Sequence, residues 1–474
     1  MKYVWTFWLL SLLAPQLFAQ PLSQRLDAFL QEPWLKTSEV GISVWNLTTG
    51  QPVYRYQDEK LYRPASVEKV LTSVAALARL GTEYTFDTRL GYTGTVVGDT
   101  LRGNLYLVGG FDPEFMEEDL DSLVAAVAHA GIRYVADTLV ADVSLMDSLY
   151  WGAGWCWDDT PHAFQPYLSP LMLNRGCVEV TVHPTQPDSL PLVVCRPASD
   201  YYQVCNRAVS HRPQAGKLQI TRNWLHRGNV IEVSGHVDRT KTETLNVESS
   251  QDFFLHTLVQ RLRQRGIGVA HTAYGEAAAV EAWGPTDSLS LATLSVVQRP
   301  IRAVLKQALK ESDNLCAEAM FYHLGAQLCG QKHVGGAEGI QAIEAFIEQE
   351  LGRDPKRYRI ADGSGVSVYN YLSPSLLMQV LKYAYARPEI FEPFYASLPI
   401  AGVDGTLQHR MKKTTAYRKV RAKTGSVAGV SSLAGYAKAA NGDCLAFVII
   451  NQNVLKLRDA RAFQDRICSL LTRE

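Results

Sequence analysis

Ser66-Val67-Glu68-Lys69 sets a hydroxyl and an amine three residues apart at the start of a strongly helical stretch. One helical turn brings the lysine back beside the serine. The helix N-terminus favours developing negative charge. A serine hydroxyl needs a base to become a nucleophile, and a lysine taken partly out of water can be neutral enough to serve. Far along the chain, Ser312-Asp313-Asn314 supplies a second hydroxyl and an amide between two helical stretches. That hydroxyl could pass a proton between base, nucleophile and leaving group, and the amide could hold a substrate carbonyl. Lys423-Thr424-Gly425 then opens a strand-like stretch. A lysine with a hydroxyl suits a substrate carboxylate, and the glycine lets a substrate backbone approach the strand edge. Taken singly, each triplet has a plain structural reading as a helix cap, a solvated lysine or a turn. Together, in this order and on these elements, they describe serine acyl transfer. Glu68 points to another helix face than Lys69 and reads as a solvated or structural charge.

The elements that must position these groups are legible around them. Val67, Val70, Leu71, Val74, Leu77 and Leu80 mark the buried face of the helix after Ser66, and Gly81 stops it. Gly41 to Trp45 and Pro52 to Tyr56 read as a hairpin, turned at Thr48-Thr49-Gly50. Helices are expected over 301–309, 315–328, 338–351, 373–386 and 458–471. Ser432 to Ala439 and Cys444 to Asn451 read as strands joined by Asn441-Gly442. The pattern predicts an α/β fold: one antiparallel sheet, flanked by helices, in which both ends of the chain meet. Between about 86 and 285 the texture changes to short alternating runs broken by Gly, Asp, Asn and Pro. Gly98-Asp99-Thr100 marks a hairpin turn there, and only 118–130 and 252–265 look helical. Residues 20–85 and 286–474 are therefore expected to form a discontinuous catalytic domain. Residues 86–285 would be a large, mostly-β insertion of two subdomains.

The 474 residues are 47% apolar and 20% charged, enough for a large core. Lys plus Arg and Asp plus Glu are both 47, which excludes a whole-chain attraction to nucleic acid or an anionic membrane. Lys2, the apolar run Val4 to Ala14 and Leu17-Phe18-Ala19 predict a cleaved export signal over residues 1–19. The mature chain is then expected outside the cytoplasm, in a bacterial periplasm, with no transmembrane segment. Eight cysteines lie at 156, 177, 195, 205, 316, 329, 444 and 468, without a CxxC pair or clustered histidines, which argues against structural zinc. Disulfides and buried free thiols both remain open.

The three triplets are the set used by penicillin-binding proteins and class A β-lactamases. The long gap between the first two resembles the low-molecular-mass class C penicillin-binding proteins of the penicillin-binding protein 4 type, which are D-alanyl-D-alanine carboxypeptidases and endopeptidases. Pro64-Ala65-Ser66, Asp362-Gly363-Ser364-Gly365-Val366-Ser367, Leu398 to Leu407 and Lys423 to Tyr436 carry further likeness. The resemblance implies a serine β-lactamase/transpeptidase-like domain. It implies Ser66 as acylated nucleophile, Lys69 as base, Ser312 as proton relay and Asn314 as substrate holder. Lys423 and Thr424 would take the terminal carboxylate, with Gly425 at the strand edge beside the substrate backbone. The N–H groups of Ser66 and Ser426 would form an oxyanion hole, and Lys423 would help depress the amine of Lys69. Asp142, in Asp142-Val143-Ser144-Leu145, would hold the amino end of a diaminopimelate side chain. Val368 departs from an arginine common in relatives, and Phe111 interrupts a glycine-rich segment at 109–113. The implied substrates are peptidoglycan stem peptides, the implied inhibitors β-lactams, and no cofactor or metal is called for. A β-lactamase, or a non-catalytic cell-wall binding protein on the same fold, are the rival readings.

Overall fold

The structure, a computed structural model, describes residues 21–277, 291–330 and 332–474. The expected signal segment at 1–19 and the expected boundary at 285/286 lie outside the described residues. Five strands form one antiparallel sheet in the order Val420–Val427, Val430–Lys438, Cys444–Gln452, Glu39–Asn46, Gln51–Tyr56. Both ends of the chain do meet in it. Alternation along the strands divides their side chains between two cores. Ala446, Val448 and Ile450 face the main helical layer, whereas Leu445, Phe447 and Ile449 face Phe463, Ile467 and Leu471 of the last helix. With both faces covered, the central strand is apolar almost throughout. Emptying Phe447 to alanine should cost about 3–5 kcal/mol.

The helix Glu68–Arg79 is buried from Glu68 to Leu77, polar residues included. The sequence pattern marks one buried face only. The reason for the difference is its place in the middle of the layer, packed by helices Asn314–Cys329, Pro374–Tyr385 and Pro388–Ser397. The last of these was not expected from the pattern, since Pro393 lies inside it. The other expected helices are present with ends shifted by a residue or two.

A second sheet has the order Ala292–Pro300, Thr85–Tyr92, Leu105–Val108, Tyr134–Asp142, Thr100–Arg102, Thr95–Val97, and Gly268–Tyr274 pairs with Tyr134–Asp142. It therefore continues past residue 285 to Pro300. The hairpin at Gly98 forms as expected. Leu105–Val108 and Gly268–Tyr274 instead run parallel to Tyr134–Asp142. Such pairing needs crossovers, and helices Glu117–His129 and Ser250–Gln264 precede the strands that return. Three smaller sheets fill the span from 177 to 246. All eight cysteines are free thiols. Among the described residues no helix is long and apolar enough to cross a membrane.

Candidate active site

Ser66 lies in a single 3-10 turn, Ala65–Val67, that leads straight into the helix carrying Lys69. Ala65 has φ +49°, a left-handed conformation that costs a non-glycine residue about 1–3 kcal/mol. The turn is held on two sides. Ser432 Oγ donates to the Pro64 carbonyl at 2.6 Å. Gly365, at φ +80°, packs against the Ala65 carbonyl where a Cβ would collide. Gly425 packs on the other side, with room for no Cβ between it, Ser432 and the Ser66 nitrogen. The glycine of Lys423-Thr424-Gly425 thus serves a close approach of strand to nucleophile turn.

Lys69 is fully buried. Its Nζ bonds Ser66 Oγ at 3.1 Å, Asn314 Oδ1 at 2.7 Å and the Ser364 carbonyl at 2.7 Å. Burial pushes its pKa down to about 8, against an upward pull led by Asp362, then Glu318 and Asp313. Lys423, also fully buried, donates to Ser312 Oγ and to the Thr424 carbonyl, both at 2.7 Å. Burial first, and the neighbouring Lys69 second, hold the Lys423 amine well below the usual lysine range. A charge on one of these amines thus disfavours a charge on the other. Ser312 itself has φ +62° and precedes Asp313, whose carboxylate caps helix Asn314–Cys329 through the Cys316 N–H.

Asn314, expected to position substrate, bonds within the protein at both ends of its amide. Its Oδ1 accepts from Lys69, and its Nδ2 donates to the Phe164 carbonyl at 2.7 Å. Thr424 Oγ1 bonds Thr406 Oγ1 at 2.8 Å, and Ser426 is exposed on the same strand. Asp142 is buried, and its carboxylate accepts from the backbone N–H groups of Ser144 and Ala277. None of those bonds reaches the cluster around Ser66. Phe111 is buried at φ +48°, and Asp112 beside it pairs with Arg299. That segment is a built turn.

The chain matches the D-Ala-D-Ala carboxypeptidase 3 (S13) family over residues 22–474. It belongs to that family. It is a serine peptidase, acting on peptidoglycan as a DD-peptidase. A D-alanyl-D-alanine carboxypeptidase of Actinomadura sp. (strain R39) is 30% identical over 91% of this chain and 80% of its own length. D-alanyl-D-alanine carboxypeptidase DacB of Haemophilus influenzae is 27% identical over 87% of this chain and 85% of its own. The crystal structure of penicillin binding protein 4 from H. influenzae superposes with a TM-score of 0.78 at 24% identity, covering 93% of this chain and 97% of that one. A predatory endopeptidase of Bdellovibrio bacteriovorus shares the fold, with a TM-score of 0.53 at 16% identity over 91% of this chain and 94% of that one.

In this S13 peptidase the site also contains groups that the sequence did not single out. Glu318 is buried and accepts from the N–H groups of Gly363 and Ser364, which fixes the carbonyl that Lys69 uses. Burial and then Asp362 raise its pKa to about 8. It stands four residues after Asn314, on the same helix face, and that spacing was its one available signal. Asp362 gathers the N–H groups of Gly365 and Ser367, the Asn370 amide and the Trp155 indole. Glu68 is 1% exposed rather than solvated. Phe164 and Trp155 come from the inserted region, so that region completes the site.

Proposed function

We propose that Ser66 attacks the carbonyl of the penultimate D-alanine of a peptidoglycan stem peptide. The carrying observation is the geometry at Lys69 Nζ. Its two 2.7 Å bonds go to oxygens that can only accept, Asn314 Oδ1 and the Ser364 carbonyl. A neutral amine has two hydrogens for those partners, and its lone pair then faces Ser66 Oγ at 3.1 Å. Lys69 is thereby poised to take the hydroxyl proton. The oxyanion forms against the N–H groups of Ser66 and Ser426. Ser312, held by Lys423, passes the proton to the departing amine. Lys423, Thr424 and Gly425 receive the terminal carboxylate. Asn314 acts as a positioning residue for Lys69, in place of the substrate contact expected from sequence. Water then hydrolyses the acyl-enzyme, and no cofactor enters.

The same reaction cuts a D-Ala-diaminopimelate cross-link when the leaving group is larger. The half-exposed Thr424 and exposed Ser426 leave that side open to such a group. Asp142 as a contact for the diaminopimelate amine requires it to exchange one of its two backbone partners. We further propose that residues 1–19 are an export signal and that the enzyme works in the periplasm. Residues 20–85 and 301–474 would be the catalytic domain around an insertion that ends with the strand at Pro300.

The test is intact-mass analysis after incubation with benzylpenicillin, followed by peptide mapping and assay of D-alanine release. A stable adduct on Ser66 together with D-alanine release is the expected result. An adduct on another residue, or none with rapid penicillin consumption, would overturn it.

A further inference from the structure

Outside the Ser66 cluster, a groove of about 1190 Å³ opens in the inserted region. It lies between two strands at sheet edges, Gln219–Arg222 and Lys241–Asn246. Its floor and walls mix apolar Ile220, Val237 and Leu245 with Asp158, Lys217, Asp238, Arg239, Lys241 and Glu243. Trp224 lines one side, and Trp157 lies against it with ring centroids 5.2 Å apart. Trp157 is 68% exposed, and Leu225 beside Trp224 is 67% exposed. An exposed indole in a soluble protein is costly surface that a partner with one apolar face would cover.

The groove adjoins the pocket beside Ser312 and Asn314. Residues 158 and 160–162 wall it, and two residues further on the Phe164 carbonyl receives the Asn314 amide. Thr244 lines both this groove and the smaller pocket that holds Ser312 and Asn314. The groove and that pocket therefore share a wall at Thr244.

We infer that this groove binds the glycan strand from which the stem peptide hangs, with Trp157 and Trp224 as a stacking lip. The inference rests on the peptidoglycan reading above. Sugar rings have one CH-rich face that stacks on an indole, and an equatorial rim of hydroxyl and acetamido groups. Side chains of both charges, each able to reach several hydroxyls, suit that rim better than they suit an aliphatic or single-signed ligand. The net charge of the chain is zero, so the affinity must come from these local contacts.

The experiment uses the whole protein and two probes. One is a peptide-free glycan strand of alternating N-acetylglucosamine and N-acetylmuramic acid; the other is a free stem pentapeptide. Calorimetry with the glycan should show binding to the wild type, weakened about tenfold in Trp157→Ala and in Lys241→Ala. D-Alanine release from the free pentapeptide should stay within about twofold in both variants, while release from intact peptidoglycan falls. No binding of the glycan by the wild type, or equal binding by both variants, overturns the inference. So does a groove that binds the pentapeptide instead. If the wild type releases no D-alanine from the pentapeptide, the catalytic reading has failed, whatever the glycan does.

Discussion

Each region of this peptidase buries cations, and it uses them differently. In the catalytic layer Lys69 and Lys423 are fully buried, and their hydrogen bonds go to neutral oxygens. In the inserted region Arg222 is 2% exposed and donates to Thr160 Oγ1, Asn246 Oδ1 and the Gly228 carbonyl, again neutral oxygens, with Glu248 at 3.9 Å. The environments are alike and the outcomes are not. An ammonium gives up its proton under desolvation, whereas a guanidinium keeps its proton and only organises its neighbours. Burial thus favours a neutral amine in one region and fixes a charged strut in the other. One run of contacts joins them: Arg222 holds Asn246, Asn246 donates to the Gln165 carbonyl, and the adjacent Phe164 carbonyl receives Asn314, which holds Lys69.

The sharpest break in that contrast is removal of the Ser66 hydroxyl, the proposed nucleophile, which the buried amine faces. Ser66→Ala should lower D-alanine release by about 10⁴-fold or more and abolish penicillin labelling, with an unchanged melting curve. Residual labelling at the wild-type rate would move the nucleophile elsewhere. Lys69→Arg tests the chemistry directly. A guanidinium cannot become neutral, so turnover should fall about 10³-fold although charge and bulk are retained. In the wild type, kcat/KM should rise with pH as Lys69 loses its proton, with an acid limb near the value of about 8. Above that limb the base is ready; below it, each pH unit removes about tenfold of the reactive form. A limb near pH 6 would contradict Lys69 as the base.

The opposite end of the run gives a smaller effect of another kind. Arg222→Leu leaves Asn246 and Thr160 short of a donor and should cost about 3 kcal/mol of stability. Peptide turnover should drop only severalfold, through looser seating of Phe164 and Asn314. A loss as large as that of Lys69→Arg would mean that Arg222 acts on the reaction itself.

How much of this was readable from sequence follows from the range of the contacts. Ser66 and Lys69 are one helical turn apart, and Asn441-Gly442 pins a hairpin, so local spacing suffices for both. The central sheet followed because apolar strands at both chain ends had to find a shared partner. The contacts of Asn314 could not be foreseen because its amide partner, Phe164, is 150 residues away in the insertion. The parallel strands of the second sheet were missed for the same reason: short alternating runs show which residues face in, not which strand lies alongside. Glu68 could be read as solvated or structural because a helix pattern ranks faces by apolarity, and it cannot foresee a helix covered on every side.

Glu68 supplies the smallest predicted effect on turnover and the most discriminating one. It adjoins Lys69, is 1% exposed, and neither carboxylate oxygen has a hydrogen-bond partner among the described residues. Burial first, then Asp362 and Glu318, raise its pKa well above the usual carboxylate range. That direction favours the neutral carboxyl, and Glu68→Gln replaces such a group by a neutral one of equal shape. Turnover should stay within about twofold and the acid limb should not move. An ionised Glu68 would behave otherwise. Its charge stabilises the Lys69 ammonium, so its removal would shift the limb to lower pH. Stability gives an independent sign. A carboxyl whose pKa is raised in the folded protein contributes fully at low pH and loses that contribution as pH rises above the unfolded value of about 4.5. Wild type and Glu68→Gln should unfold alike near pH 4, and the variant should become the more stable of the two as pH rises towards 8. Parallel curves across that range would place the Glu68 proton in water-like surroundings and remove the case for a buried neutral acid beside the base.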